Sequence, residues 1–210
     1  MNTEHTFSVV VLISGNGSNL QSIIDDPEHG INYTVKAVIS NNHDAYGLVR
    51  AQNRDIETVV VDHKLYQDRS TYDQALQSAI DQFKPDLVVL AGFMRILTTP
   101  FVEHFLGRMI NIHPSLLPKY RGLNTHQKAI DAGDVTAGCT VHYVTPELDA
   151  GPIITQVAVK INTADTAESL AARVLTEEHK IYPKVIHWIV SNLVRLDDSG
   201  VVRFNHQTAI

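Results

Sequence analysis

Residues 8–20 read SVVVLISGNGSNL, and this stretch decides the class of fold. After Ser8, residues 9–13 form a continuous apolar run, which is typical of a parallel strand covered on both faces. Gly15 and Gly17 follow, and from Leu20 onward apolar residues come at helical spacing. A strand, a glycine turn and a helix in this order predict the first unit of an α/β sheet.

The glycine turn is also a candidate anion site, because glycines let backbone N–H groups approach a ligand and a helix N-terminus favours negative charge. The dinucleotide fingerprint is incomplete, since Leu20 occupies its third glycine position and the second strand ends in Ser40-Asn41-Asn42 instead of a ribose-binding acid. A Walker lysine is missing as well. We therefore predict a site for one phosphate at this turn, the alternative being a plain turn with a Ser/Asn cap.

Strands and helices continue to alternate along the chain, without repeats or flexible linkers. The predicted strands are 34–39, 57–61, 87–91, 109–113, 138–144 and 153–161, and the predicted helices are 45–52, 71–83, 98–107, 125–132 and a long one after 165. A rigid turn at 145–152 makes the last two of these strands antiparallel. The predicted fold is α/β: a doubly wound, mostly parallel twisted sheet with an antiparallel C-terminal part.

Composition and charge exclude several classes of protein. The net charge of −6, without a basic cluster, argues against nucleic acid as a ligand. The single Cys139 cannot form an internal disulfide, which suits a reducing compartment. No apolar run approaches the ~18 residues of a membrane span, and the N-terminus lacks the basic start of a signal peptide. We expect a cytoplasmic protein that has no membrane partner.

Residues 108–120, RMINIHPSLLPKY, place polar side chains at the end of a strand. Period-2 alternation puts Asn111 and His113 on the same face, and Pro114 ends the strand directly after them. Open α/β sheets bind their ligands at this carboxyl edge. The alternative is that these polar residues only cap a turn.

Residues 93–97, FMRIL, follow another buried strand at the same edge. They either belong to the core or form the wall of a pocket for a flat heterocycle.

The long C-terminal helix is predicted to start at Asp165, with Glu168 completing a capping box. Its apolar stripe contains Glu178, and a carboxylate there needs a partner or opens onto a cavity, unless it reaches solvent. Pro183 is expected to kink or restart the helix near Glu178.

Three segments, 13–20, 111–118 and 148–152, resemble in order and spacing the folate-dependent formyltransferases, and the glycine loop narrows the likeness to the phosphoribosylglycinamide formyltransferase family. The likeness covers essentially the whole chain. It implies a Rossmann-like formyltransferase fold in one domain, 1–210, with a phosphate-binding half at 1–107 and a catalytic half at 108–210. The implied partners are small molecules only, and the implied assembly is a monomer or homodimer.

The implied reaction transfers a formyl group from 10-formyltetrahydrofolate, the cosubstrate, to the amine of glycinamide ribonucleotide in de novo purine (IMP) biosynthesis, without a metal. By the same resemblance the catalytic residues are Asn111, His113 and Asp149. The implied ribonucleotide contacts are Asn16, Gly17, Ser18, Asn19 and Glu178. The implied folate contacts are Arg69, Met94, Arg95, Ile96, Leu97, Asn111, Thr145, Pro146, Glu147, Leu148 and Asp149. A cis Leu117–Pro118 bond is implied too. Arg121 stands where the family commonly has proline, and Asn124 stands where the family often has histidine.

These residue types suit acyl transfer. Asn111 can donate to the oxyanion of a tetrahedral intermediate, an interaction worth roughly 3 kcal/mol in comparable sites. A protonated His113 can donate to that oxyanion or to the leaving folate nitrogen, and Asp149 can stabilise the charged ring or accept the proton of the amine. His142, on a neighbouring strand, could line the same cavity or be purely structural. The other histidines show no metal-ligand spacing.

Two rival functions remain at this point. In a formyltetrahydrofolate deformylase water replaces the amine, although the glycine loop and Glu178 favour the transferase. In a non-catalytic nucleotide-binding module only the turn at Gly15 to Asn19 has a function.

Overall fold

The computed structural model describes residues 6–205. The chain divides into two compact units, of which the first ends at Ile110 and the second begins at Asn111. The strands are β1 (Phe7–Ile13), β2 (Tyr33–Ser40), β3 (Glu57–Val60), β4 (Leu87–Leu90), β5 (Met109–His113), β6 (Thr136–Tyr143), β7 (Ile153–Lys160), β8 (Val194–Leu196) and β9 (Val202–Phe204). The α-helices are α1 (Ser18–Ile24), α2 (Tyr46–Gln52), α3 (Arg69–Asp81), α4 (Thr99–His104), α5 (Thr125–Asp131) and α6 (Ala167–Val190).

The main sheet has seven strands in the order β3-β2-β1-β4-β5-β6-β7, and β8 and β9 form a separate antiparallel pair. The pairs β1–β2, β1–β4 and β2–β3 are parallel, whereas β6 and β7 are antiparallel. The predicted fold class, with its antiparallel C-terminal part, is therefore confirmed.

The first unit is built around β1, whose residues from Ser8 to Ile13 are all buried. A run of Val, Leu and Ile on both faces of a central parallel strand gives the continuous apolar pattern of the sequence. The strand order reverses between β1 and β4, because the chain moves outward through β2 and β3 and then returns to the other side of β1. Ligands of doubly wound sheets bind at such a switch point.

The second unit combines the β6–β7 hairpin with α6, whose buried side chains include Leu170, Val174, Tyr182 and Val185. On β6 the residues from Ala137 to Tyr143 are buried, whereas β7 alternates between buried or half-buried and exposed positions. This alternation is typical of an antiparallel strand with one solvated face.

Two predictions about α6 are wrong. The helix cap is Thr166, not Asp165, and the capping box is completed by Ser169, not Glu168, because these two residues exchange backbone–side-chain hydrogen bonds of 3.2 and 3.0 Å. Asp165 instead accepts from the backbone N–H of Asn162 at 2.6 Å. Pro183 lies buried within one continuous α6, so the helix does not restart there, and the expected kink stays a prediction.

Within residues 6–205, none of the helices has both the length and the apolar character needed to cross a lipid bilayer.

Candidate active site

In the second unit β5 carries Asn111 and His113 to its carboxyl end, where Asn111 is half-buried and His113 is 5% exposed. Residues Ile110 and Ile112 alternate with them, so the two polar side chains share one face of the strand, as predicted. Pro114 follows directly, and the next peptide bond with a proline, Leu117–Pro118, is cis, as the resemblance implies.

Both ring nitrogens of His113 face oxygen atoms. The Nε2 atom donates to the backbone carbonyl of Tyr120 at 2.9 Å, and Nδ1 lies 3.4 Å from Oδ2 of Asp149. The Asp149 side chain is 9% exposed, and its Oδ2 also accepts from the backbone N–H of Gly122 at 2.9 Å. Because Tyr120 occupies Nε2, Nδ1 is the atom of His113 through which it can exchange a proton with a ligand.

The loop that carries the Tyr120 carbonyl is fixed at several points. Tyr120 itself has φ +57°, a left-handed conformation that is uncommon for a bulky residue. Its hydroxyl donates to Asp134 at 2.8 Å, and Lys119 bonds the same carboxylate at 2.9 Å. These bonds hold the carbonyl in place toward His113, although the sequence motif carries no signal of this contact.

His142 lies on β6, the neighbour of β5 in the sheet. Its Nδ1 donates to the backbone carbonyl of Tyr143 at 2.9 Å, and its Nε2 is 3.3 Å from Nδ2 of Asn111 and 4.0 Å from Oδ1 of Asp149. Burial lowers the pKa of His142, and this outweighs the opposite effects of the Tyr143 carbonyl and the Asp149 carboxylate. A neutral Nε2 can accept from the Asn111 amide and so orient it.

The predicted trio therefore comes together within the second unit. His113 contacts Asp149 directly, and His142 reaches both Asn111 and Asp149. The resemblance named the trio, the sequence left the role of His142 open, and it missed Gly122, whose backbone N–H holds Asp149. No sequence signal could have identified it, because a backbone donor is common to every residue type except proline.

The remaining predicted residues of this unit surround the Asp149 turn and α6. Of residues 145–148, Thr145 is half-buried and the next three are exposed, and Glu147 forms an ion pair with Arg121. Glu178 is buried, at 6% exposure, so the alternative that it reaches solvent is wrong. Its negative charge contributes, after burial, to raising the pKa of the Cys139 thiol to about 12.

The glycine turn of the first unit forms the predicted junction of β1 and α1. Gly17 has φ +74°, and a Cβ added there would lie 2.7 Å from the Cα of Gly47, so the turn requires glycine. The Gly47 N–H donates to the carbonyl of Gly15 at 3.1 Å. Arg50 donates to the Asn16 carbonyl and side-chain oxygen at 2.9 and 3.0 Å, placing a positive charge directly behind the turn.

Residues 92–97 follow β4 in the first unit as an exposed segment. Met94 and Ile96 are 68% and 53% exposed, so the alternative that this segment belongs to the core is wrong. Arg95 is half-buried over the Tyr72 ring, and among residues 6–205 its Nε has no hydrogen-bond partner. Arg69, the other arginine predicted for folate, begins α3 and is exposed.

Metal ligands do not cluster in the part of the chain that the structure describes, where no group of three His, Cys, Asp or Glu side chains is placed to hold an ion.

Comparisons with known proteins agree with this geometry. Residues 7–186 match the family described as formyl transferase. The chain is 50% identical over 194 residues to the phosphoribosylglycinamide formyltransferase of Escherichia coli, covering 92% of both chains. It is 47% identical to the trifunctional purine biosynthetic protein adenosine-3 of Bos taurus, of which it spans only 19%.

Among solved structures, that of the phosphoribosylglycinamide formyltransferase of Coxiella burnetii superposes with a TM-score of 0.90 at 50% identity, over 95% of this chain and 94% of that one. A family match over most of the chain, a relative at this identity and the shared fold lead to one conclusion: the chain belongs to the formyl transferase family.

Proposed function

We propose that this chain transfers the formyl group of 10-formyltetrahydrofolate to the amine of phosphoribosylglycinamide, giving the N-formyl product and tetrahydrofolate in purine biosynthesis. The observation that carries the proposal is the contact of His113 with Asp149, 3.4 Å apart, beside the Asn111 amide on the same strand. The two bacterial relatives at 50% identity are named phosphoribosylglycinamide formyltransferase, which supports phosphoribosylglycinamide as the acceptor of the formyl group.

The reaction needs one bond formed, one broken and one proton moved. The amine nitrogen attacks the formyl carbon, the bond from that carbon to N10 of the folate breaks, and the proton lost by the amine ends on N10. Asp149 and Nδ1 of His113, adjacent to each other, suit this transfer because one can accept the proton while the other donates. Since Nε2 of His113 is bonded to Tyr120, we assign the exchange to Nδ1.

The oxyanion of the tetrahedral intermediate is stabilised by Asn111. The Asn111 amide has two N–H groups, and the contact with Nε2 of His142 uses one of them. The second is then available to the oxyanion, with its direction fixed by the first. Protein donors thus supply the charge stabilisation, and we propose that the transfer proceeds without a metal.

The ribonucleotide phosphate is proposed to bind at Asn16, Gly17, Ser18 and Asn19. The left-handed Gly17 and the start of α1 present backbone N–H groups, and Arg50 adds positive charge behind them. The buried Glu178 is proposed to accept hydrogen bonds from the ribonucleotide. Both roles follow the family resemblance.

The folate is proposed to bind along Met94 to Leu97 and Thr145 to Asp149, with Arg69 near its glutamate tail. The exposed apolar side chains of Met94 and Ile96 offer a face for a flat ring. Arg95, half-buried over the Tyr72 ring, adds a positive charge between them. A reaction of two soluble metabolites is consistent with a cytoplasmic protein.

The test is a product assay with 10-formyltetrahydrofolate and glycinamide ribonucleotide, in which mass spectrometry quantifies the formylated ribonucleotide, tetrahydrofolate and formate. We expect formylated ribonucleotide and tetrahydrofolate in equal amounts. Formate released at the same rate without the ribonucleotide would overturn the proposal in favour of a deformylase. Binding of the ribonucleotide without turnover would favour a non-catalytic module.

A further inference from the structure

Two polar residues at the switch point of the first unit have no part in the chemistry above. Ser14 follows β1, and Asn41 follows β2, the parallel neighbour of β1. Asn41 belongs to the Ser40-Asn41-Asn42 run that replaces the ribose-binding acid of dinucleotide sites. Its side chain is 5% exposed, and a buried amide needs hydrogen-bond partners.

The hydroxyl of Ser14 connects the loops that follow three adjacent strands. It donates to Oδ1 of Asn41 at 2.6 Å and accepts from the backbone N–H of Met94, beyond β4, at 2.8 Å. Asn41 is anchored in turn, because Nδ1 of His63 donates to its backbone carbonyl at 3.1 Å. The hydroxyl therefore links a fixed, buried amide to the start of the exposed segment at Met94.

Two of these three loops, those after β1 and β4, are the ligand-binding segments of the first unit in the proposed function. Ser14 precedes the phosphate turn by one residue, Gly15, and Met94 is the first residue of the proposed folate segment. Because the Ser14 hydroxyl bonds both Asn41 and Met94, a ligand that shifts the loop after β1 also changes the support of the loop after β4. By linkage, the second ligand then binds more tightly, and the effect is reciprocal.

We propose that Ser14 is a positioning residue that couples ribonucleotide binding to folate binding through its bonds to Asn41 and Met94. The inference rests on the proposed function, since it assigns these loops to the two substrates. A merely structural serine would satisfy the Met94 N–H and contribute to stability, but it would leave the affinities for the two ligands independent of each other.

The test is isothermal titration of the whole chain with glycinamide ribonucleotide, alone and with saturating tetrahydrofolate, which carries no formyl group and so allows no turnover. In the unmodified chain we expect tetrahydrofolate to tighten ribonucleotide binding about fivefold or more, in the usual range of coupling between sites. In Ser14→Ala the ratio should fall below about twofold. Ser14→Thr keeps the hydroxyl and should restore it.

Two further variants make the result specific. Asn41→Ala removes the acceptor of the Ser14 hydroxyl and should lower the ratio as well. Ser78→Ala removes an exposed hydroxyl that donates to the Gln74 carbonyl within α3, and it should keep the full ratio. Thermal unfolding of each variant verifies that it is folded.

The outcomes separate this inference from the proposed function. A ratio of one in the unmodified chain, or an unchanged ratio in both Ser14→Ala and Asn41→Ala, overturns the coupling role and leaves the proposed function standing. Failure of the unmodified chain to bind either ligand overturns the proposed function, and the inference with it.

Discussion

At the scale of single residues, burial determines what the polar groups of the second unit can do. His142 is 2% exposed, and its bond to the Tyr143 carbonyl leaves only Nε2 to contact Asn111 and Asp149. Burial disfavours its charged form, so the ring acts as a hydrogen-bond acceptor that orients the Asn111 amide. The Asn111 amide, for which we propose a catalytic role, is thus held by the His142 ring, whose neutral form is favoured by burial.

The lowered pKa of His142 predicts a specific dependence of stability on pH. Its ordinary value is 6.5, and the folded value lies below it. As the pH falls below 6.5, His142 is therefore protonated in the unfolded chain before it is protonated in the folded chain. Its contribution to the free energy of unfolding is complete above pH 6.5. Below that pH the contribution decreases, until the folded ring is also protonated. Between pH 7.5 and 5.5 the loss is at most about 1.4 kcal/mol.

Urea unfolding at these two pH values measures this contribution. His142→Gln should lose less free energy of unfolding between pH 7.5 and 5.5 than the unmodified chain. The control is Ser78→Ala, at an exposed site and without a change of any titratable group, which should lose as much as the unmodified chain. An identical loss in all three proteins would contradict the burial of a neutral His142.

Strand alternation placed Asn111 and His113 on one face at the end of a strand, and the family resemblance added their catalytic roles together with Asp149. The sequence could not predict the acceptor of His113 or the donor to Asp149, because these are the backbone carbonyl of Tyr120 and the backbone N–H of Gly122. Nothing in the residue type of Tyr120 indicates its positive φ, which depends on the bonds of the surrounding loop. Side-chain chemistry is therefore more predictable from sequence than backbone contacts.

At the scale of elements, the connection between β6 and β7 positions the Asp149 turn. Gly151 lies where the chain passes very close to the end of β6, since a Cβ added to it would be 1.8 Å from the carbonyl oxygen of Tyr143. That oxygen accepts from Nδ1 of His142. The packing of the hairpin and the orientation of the His142 ring thus depend on the same atom.

Gly151→Ala should therefore disturb stability and activity together. The added methyl group must displace the Tyr143 carbonyl, because no flexible side chain can move aside for it, and we expect a loss of about 1–3 kcal/mol in the free energy of unfolding. We also expect a lower kcat for formyl transfer. Urea unfolding and the product assay measure the two effects.

The matched stability control is Gly15→Ala, since a Cβ at Gly15 would meet nothing within 4 Å. Its free energy of unfolding should stay within about 0.5 kcal/mol of that of the unmodified chain. A Gly151→Ala protein with unchanged stability and kcat would show that the hairpin does not constrain His142.

Strands and helices could be predicted where the periodic pattern of apolar residues extends over many residues. The ends of these elements could be predicted less well. The strands and helices were identified by their apolar spacing, but the start of α6 was wrong by one residue, because Asp165, Thr166 and Ser169 are all capping residues by type. Only the folded geometry decides which of them has extended backbone and faces the free N–H groups. Pro183 shows the same limit, since one continuous helix accommodates it.

At the scale of the whole molecule, the doubly wound strand order follows from the alternation of strands and helices in the sequence. The two segments of the first unit that we propose to bind ligands follow β1 and β4, on either side of the switch point, where ligands of such sheets bind. The second unit supplies Asn111, His113 and Asp149. Family membership, shown by the match over residues 7–186, adds what the topology alone does not give, namely formyl transfer.

The central claim is that His113, through its Nδ1 beside Asp149, takes part in the proton transfer. Its most direct test is kcat for formylated ribonucleotide production by His113→Ala, measured together with ribonucleotide binding and thermal unfolding. We predict that kcat falls by about 10²- to 10⁴-fold, the usual contribution of a general acid–base, while ribonucleotide affinity and the unfolding midpoint stay close to those of the unmodified chain. A His113→Ala protein that keeps the full kcat would contradict the account.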